Sequence, residues 1–264
     1  MRRAGLWIPV PVVTGRALLW GPGWFALELA VLWVDPALMV IVLAVLGGLA
    51  AWQTARDWVG AGEEVEPSVA AMVAVAVILA STMGPTGAGA ATLAAVVVSM
   101  LAPVGLRSGR TGDETRDPLA AGAGLLVQSW LPAVAVAVPM SLLAARAEGA
   151  GAVFSLISLL AIYDAGHHLV GMSATRSWEG PLAGLAGMFV VTGALVVVGV
   201  PPMKVETLVR YAVVVMALAP IGEILGSLSA PAVVGPGPAL RRIDSAILAA
   251  PVWTYLVWGY LNTL

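Results

Sequence analysis

Stretches of about 18 or more apolar residues recur along this chain, and as a helix each is long enough to cross the hydrocarbon core of a bilayer. Within lipid every backbone amide needs a partner inside the protein, so only helices and closed barrels span. The alternation of apolar and polar residues that a barrel requires is missing from these runs. The sequence therefore predicts an all-α, polytopic integral membrane protein. With 264 residues, 60% hydrophobic and only 11% charged, the chain leaves no stretch for a soluble domain. A net charge of -2 gives no basis for a nucleic-acid partner, and the lack of cysteine excludes disulfides, thiolate catalysis and Cys-ligated metal. The start, MRRAGLWIPVPVVTGRALLW, is basic like a signal peptide. Arg16 interrupts its apolar part and no small-residue cleavage site follows, so the segment is expected to be retained.

With Gly, Pro and charges as punctuation, hydropathy predicts nine transmembrane helices. They fall near 17–34, 37–54, 68–83, 89–106, 119–145, 150–170, 180–200, 208–229 and 243–263. Pro132 and Pro139 allow the fifth to kink or to cross only in part. In the first, Gly21, Pro22 and Gly23 are potential breaks ahead of Glu28. A cytoplasmic amino terminus puts Arg2, Arg3, Arg16, Arg56, Arg107, Arg110, Arg116, Arg176, Arg241 and Arg242 inside, against Arg146, Lys204 and Arg210 outside. The positive-inside bias favours that orientation, in a plasma membrane of the bacterial type. It brings the loops at 171–179 and 230–242 to the same cytoplasmic face. The polar loop Arg107 to Asp117 reads as a solvated connection, with phosphate binding by its arginines as the alternative.

Ionisable groups are costly near lipid, which makes function the default hypothesis where they cluster. The densest cluster lies in IYDAGHHLVGMSATRSWEGPLAGLAG, residues 162–187, and holds Asp164, His167, His168, Arg176 and Glu179. If the sixth helix runs to Gly171, Asp164, His167 and His168 share roughly one face. A carboxylate and an imidazole at that spacing suit a divalent cation, or the carboxylate orients the imidazole. The plainer account is a helix end whose histidines meet headgroups. Ser173, Arg176 and Ser177 offer donors for a phosphate, while Glu179 either binds a cation or caps the next helix. Gly180, Ala183, Gly184 and Gly187 form a ridge of small residues that suits close helix packing. Further on, Pro220 and Gly222 loosen the eighth helix just before Glu223, an intramembrane carboxylate. The turn GPGP at 235–238 then delivers Arg241, Arg242 and Asp244 to the start of the last helix, where capping and a positive-inside flank are the simpler roles.

Taken in order, DAGHHLVG, SATRSWEGPLAG, GEILGS and LRRIDSAILAAPVWTYL resemble the phosphatidate cytidylyltransferases, or CDP-diacylglycerol synthases. That family has an Asp followed by small and aromatic residues, then SPKKTWEG, then GDLxES, then a DRxDS segment opening a last helix that contains AAP. The resemblance covers about 145–264, the cytidylyltransferase-like region. Residues 1–144, the amino-terminal transmembrane helices, agree only in hydrophobic architecture. What the resemblance implies is a membrane enzyme of phospholipid biosynthesis joining CTP to phosphatidate with a divalent cation, Mg2+, to give CDP-diacylglycerol and pyrophosphate. Membrane lipids, and a second copy in a homodimer, are the other partners expected.

Carried over residue by residue, the resemblance makes Glu223, Asp244 and Arg242 catalytic. It makes Ser173, Arg176, Glu179 and Ser227 substrate-binding, and Asp164, Glu223 and Asp244 ligands of the metal. Where the chain departs from the family, Arg241 is expected to take over phosphate contacts and His168, or His167, to supply a replacement metal ligand. Trp178 and Gly180 match the TWEG element. The chain also departs from the pattern. Ala174 and Thr175 replace the proline and first lysine of SPKKTWEG, Ala230 and Pro231 replace a Lys-Arg pair, and Arg241 replaces the first carboxylate of DRxD. The missing lysines would have neutralised a triphosphate, and nucleotidyl transfer depends on such neutralisation. Two alternatives follow. One is a paralogue that keeps a lipid-headgroup pocket and acts as a regulatory partner. The other is a proton-coupled transporter relaying through Glu28, Asp164 and Glu223, which the lack of an inverted repeat disfavours.

Overall fold

A computed structural model describes residues 15–107, 118–232 and 235–263, so Arg2, Arg3, Arg110 and Arg116 lie outside the described residues. The described residues are helical, without strands. The helices are α1 (Gly15–Val34), α2 (Pro36–Gly60), α3 (Pro67–Ala80), α4 (Gly84–Arg107), α5 (Pro118–Ala144), α6 (Ala150–Gly171), α7 (Glu179–Val198), α8 (Val205–Leu228) and α9 (Ala246–Leu261). By length and hydropathy, six segments among them are able to cross a membrane: Leu38–Gly60, Pro67–Ala102, Gly122–Ala144, Ala150–Gly171, Glu179–Val198 and Val205–Leu228. Apolar residues cover the outside as well as the core. Phe189, Val190, Val197 and Val198 on α7 are each more than 70% exposed, a surface that water would not tolerate and lipid does.

The helix boundaries follow from local chemistry. Pro67 opens α3, where a missing N–H costs nothing, and Ser68 donates a 2.6 Å hydrogen bond to the Glu66 carboxylate. The hydropathy run Pro67–Ala102 is too long for one crossing, and the chain turns back within it. Gly84 has φ +82°, a left-handed backbone that glycine adopts without strain. After it, α4 returns along α5, so that the Trp130 indole donates to Ser99 Oγ at 2.9 Å. Pro132 and Pro139 do not divide α5, which stays helical over 27 residues.

One apolar core runs from Leu32 to Leu261 through both halves of the chain, with α2 packed on α3 and α5, and α5 on α4 and α9. The tightest seam joins α6 and α7. A Cβ on Gly166 would lie 2.8 Å from the Ala183 carbonyl oxygen, and one on Gly184 would lie 2.6 Å from the Tyr163 carbonyl oxygen. The small-residue ridge is thus what lets the two backbones touch. Trp253, fully buried on α9, donates its indole N–H to the Ala152 carbonyl at 3.1 Å and so ties α9 to α6.

The segment between α8 and α9 is held by the amino-terminal half. Trp58 donates to the Ser229 carbonyl at 3.0 Å, Gln128 to the Leu228 carbonyl at 2.8 Å, and Ala239 N–H donates to Gln53 Oε1 at 2.9 Å. Gln53→Leu keeps the size of the side chain and removes the acceptor. It is expected to destabilise the protein by about 1–3 kcal/mol, the cost of a buried amide left unpaired. The thermal midpoint of the detergent-solubilised protein measures the loss.

Candidate functional site

Three carboxylates from three distant parts of the chain meet at one end of the bundle. Asp164 of α6, Glu223 of α8 and Asp244, just before α9, each place an oxygen within 4.8 Å of the other two. At 1.5 Å per residue, Asp164 lies about 10 Å back from the end of α6 and Glu223 about 8 Å back from the end of α8. The cluster is therefore recessed from the bundle end.

Glycine makes the convergence possible. Gly222 and Gly226 stand one helical turn apart on α8, on either side of Glu223 in sequence. A Cβ at Gly222 would come within 2.5 Å of the Asp244 carbonyl oxygen, and one at Gly226 would overlap the Asp244 Cβ. The Asp244–Ser245 backbone thus rests directly on α8. Asp244 Oδ1 accepts the Ser245 N–H at 2.8 Å, which fixes the carboxylate against its own helix start.

Glu223 is held from the other side by α6. Tyr163 Oη donates to Glu223 Oε2 at 2.9 Å, and His167 Nδ1 lies 2.5 Å from Glu223 Oε1. The His167 ring is buried, and a Cβ on Gly180 would overlap it. Asp164 Oδ1 and Ser245 Oγ are buried within reach of one another's side chains, and neither makes a well-formed hydrogen bond among the described residues. Glu28 of α1 and Arg242 lie within electrostatic reach of Asp164, and Arg241 within reach of Asp244.

Three anionic carboxylates this close repel one another unless a proton or a cation intervenes. Oxygen donors of this kind suit hard divalent cations such as Mg2+ or Ca2+.

The remaining sequence-predicted residues fall in two places. Ser173 and Arg176 are exposed in the turn between α6 and α7, where Ser173 Oγ donates to the Val170 carbonyl at 3.3 Å and the Arg176 guanidinium lies 5.7 Å from the Trp178 ring centroid. The Glu179 carboxylate accepts from the Thr175 hydroxyl at 3.0 Å and the Thr175 N–H at 3.2 Å, so it folds that turn onto the start of α7. Arg241 donates from Nε to the Pro236 carbonyl at 2.8 Å, Arg242 is exposed, and Ser227 is half-buried on α8. His168 is not part of the carboxylate group. It faces the charges of Arg241 and Arg242, while its neighbour His167 reaches Glu223.

Sequence reasoning missed Tyr163, which holds Glu223, and Ser245, which lies beside Asp164. Tyr163 lies one turn before His167, and that spacing was the available signal that both meet the same partner. In the comparison with known proteins, no family model and no curated protein matches this chain.

Proposed function

We propose that the chain is a membrane nucleotidyltransferase resembling the phosphatidate cytidylyltransferases, acting on CTP and phosphatidate or a related lipid phosphate. One observation carries the reading: Asp164, Glu223 and Asp244, each from a separate motif of that resemblance, converge with oxygens within 4.8 Å. In this reading α1 to α9 make nine crossings, the amino terminus is cytoplasmic, and the carboxylate end of the bundle faces the cytoplasm.

Asp164, Glu223 and Asp244 would hold Mg2+, which when bound neutralises phosphate charge. Arg242 and Arg241, beside the carboxylates, contact the nucleotide phosphates, and Arg176 with Ser173 on the adjoining turn extends that basic surface. Ser227 lies one turn beyond Glu223 on α8. An oxygen of the lipid phosphate attacks the α-phosphorus of CTP and forms a new P–O bond. The bond to the oxygen bridging to the β-phosphorus breaks, and pyrophosphate leaves with that electron pair. The recessed position limits competing attack by water.

Purified protein given CTP, Mg2+ and phosphatidate in detergent is expected to release pyrophosphate and form CDP-diacylglycerol. No product at any divalent cation would overturn catalysis. A second reading, a lipid-binding or regulatory partner without turnover, is favoured by one specific feature: both Glu223 oxygens are already engaged, by Tyr163 and His167. Metal-dependent CTP binding without product would support it.

A further inference from the structure

At the end of the bundle opposite the carboxylates, a groove of about 810 Å3 opens between the ends of α5 and α9 and the starts of α4 and α8. That volume lies within the roughly 300–1,000 Å3 of ligand sites. We infer that the groove is a binding site for an anionic glycerophospholipid of the leaflet opposite the carboxylates. The inference is independent of the nucleotidyltransferase reading.

The groove's length and opening suit a lipid. Its α9 wall runs from Pro251 to Tyr260, about 14 Å at 1.5 Å per residue, close to the ~15 Å of one hydrocarbon leaflet. Tyr255 stands at the lip and is 79% exposed, so the groove opens sideways to the membrane. Pro139, Leu142 and Tyr211 supply apolar walls for a chain. Within it, near the deep end, Thr254 is only 8% exposed and its Oγ1 has no hydrogen-bond partner among the described residues, a polar atom on an otherwise apolar wall.

Charge at the mouth selects the headgroup. The Arg146 guanidinium lies 4.4 Å from the Trp258 ring centroid and donates from Nη1 to Asn262 Oδ1 at 3.1 Å, and both partners line the groove. Among the described residues no carboxylate pairs with Arg146. A guanidinium held on an aromatic face, with donors to spare beyond its one bond to Asn262, is preorganised for a phosphate diester. Lys204 adds a second cation at the same end, since its backbone N–H donates to Tyr260 Oη, another lining group, at 3.3 Å.

The test is native mass spectrometry of the full chain in detergent, titrated with phosphatidylglycerol and with phosphatidylcholine of identical acyl chains. Wild type is expected to bind one phosphatidylglycerol about tenfold more tightly, the scale of one charge-assisted contact. Arg146→Gln removes that preference and leaves weak binding of both lipids. Gly259→Leu, at a groove position where an added Cβ meets nothing within 4 Å, weakens both lipids about equally. Helical circular dichroism and elution volume report that each variant is folded. Equal affinity for the two lipids, or a preference unchanged in Arg146→Gln, would overturn the inference. So would a dimer that Gly259→Leu dissociates, which would make a second copy the occupant.

Discussion

Glu223→Gln is expected to lower Mg2+-dependent pyrophosphate release by at least about a hundredfold, or about 2.7 kcal/mol of barrier, while the protein stays folded. The amide keeps the size of the carboxylate and one oxygen for the Tyr163 hydroxyl. What disappears is one of three charges around the Asp164 and Asp244 oxygens, and with it the donor set that suits a hard cation. The same variant should lose any thermal stabilisation that Mg2+ gives wild type, because a bound ligand stabilises only the state it binds. Asp164→Asn and Asp244→Asn should behave alike. If all three variants turn over as wild type does, the convergence of these carboxylates has no part in the chemistry.

The second large effect belongs to a residue without a side chain. Gly226→Ala adds one methyl where a Cβ would overlap that of Asp244, so α8 and the segment leading into α9 must separate. Overpacking of this kind costs about 1–3 kcal/mol. The displacement also moves a carboxylate out of its group, and a shift of about 1 Å in a reacting assembly is enough for a hundredfold loss of rate. Gly193→Ala on α7, where an added Cβ meets nothing within 4 Å, is the control, and helix propensity alone predicts that it is neutral or slightly stabilising. Thermal midpoints and product formation should fall together in Gly226→Ala and in neither respect in Gly193→Ala.

Much of the architecture was legible because lipid imposes it. Apolar runs that must satisfy their own amides read directly as helices, and glycine and proline mark their ends, as Pro67, Gly84 and Gly199 do. Asp164 and Glu223 stood out for a similar reason, since each is a carboxylate within apolar sequence, whereas Asp244, whose simpler role was to cap the last helix, entered only through the resemblance. Their meeting was harder to read, because it depends on which helices are neighbours. The assignment of the two histidines shows the limit of spacing. Adjacent residues point about 100° apart around a helix, so a one-residue difference decides whether His167 or His168 meets α8. Nor did the sequence disclose that the segment carrying Gly235 to Ala239 rests on Gln53 of α2. A side-chain amide accepting from a backbone N–H across 186 positions leaves no pattern in composition or periodicity.

That contact bears on modularity. The region that carries all three carboxylates begins near residue 145, yet the stretch of chain leading into Asp244 is propped by Gln53, Trp58 and Gln128. The carboxyl-terminal 120 residues are thus not a portable cassette: grafted onto foreign helices they would arrive without the scaffold that sets Asp244 in place.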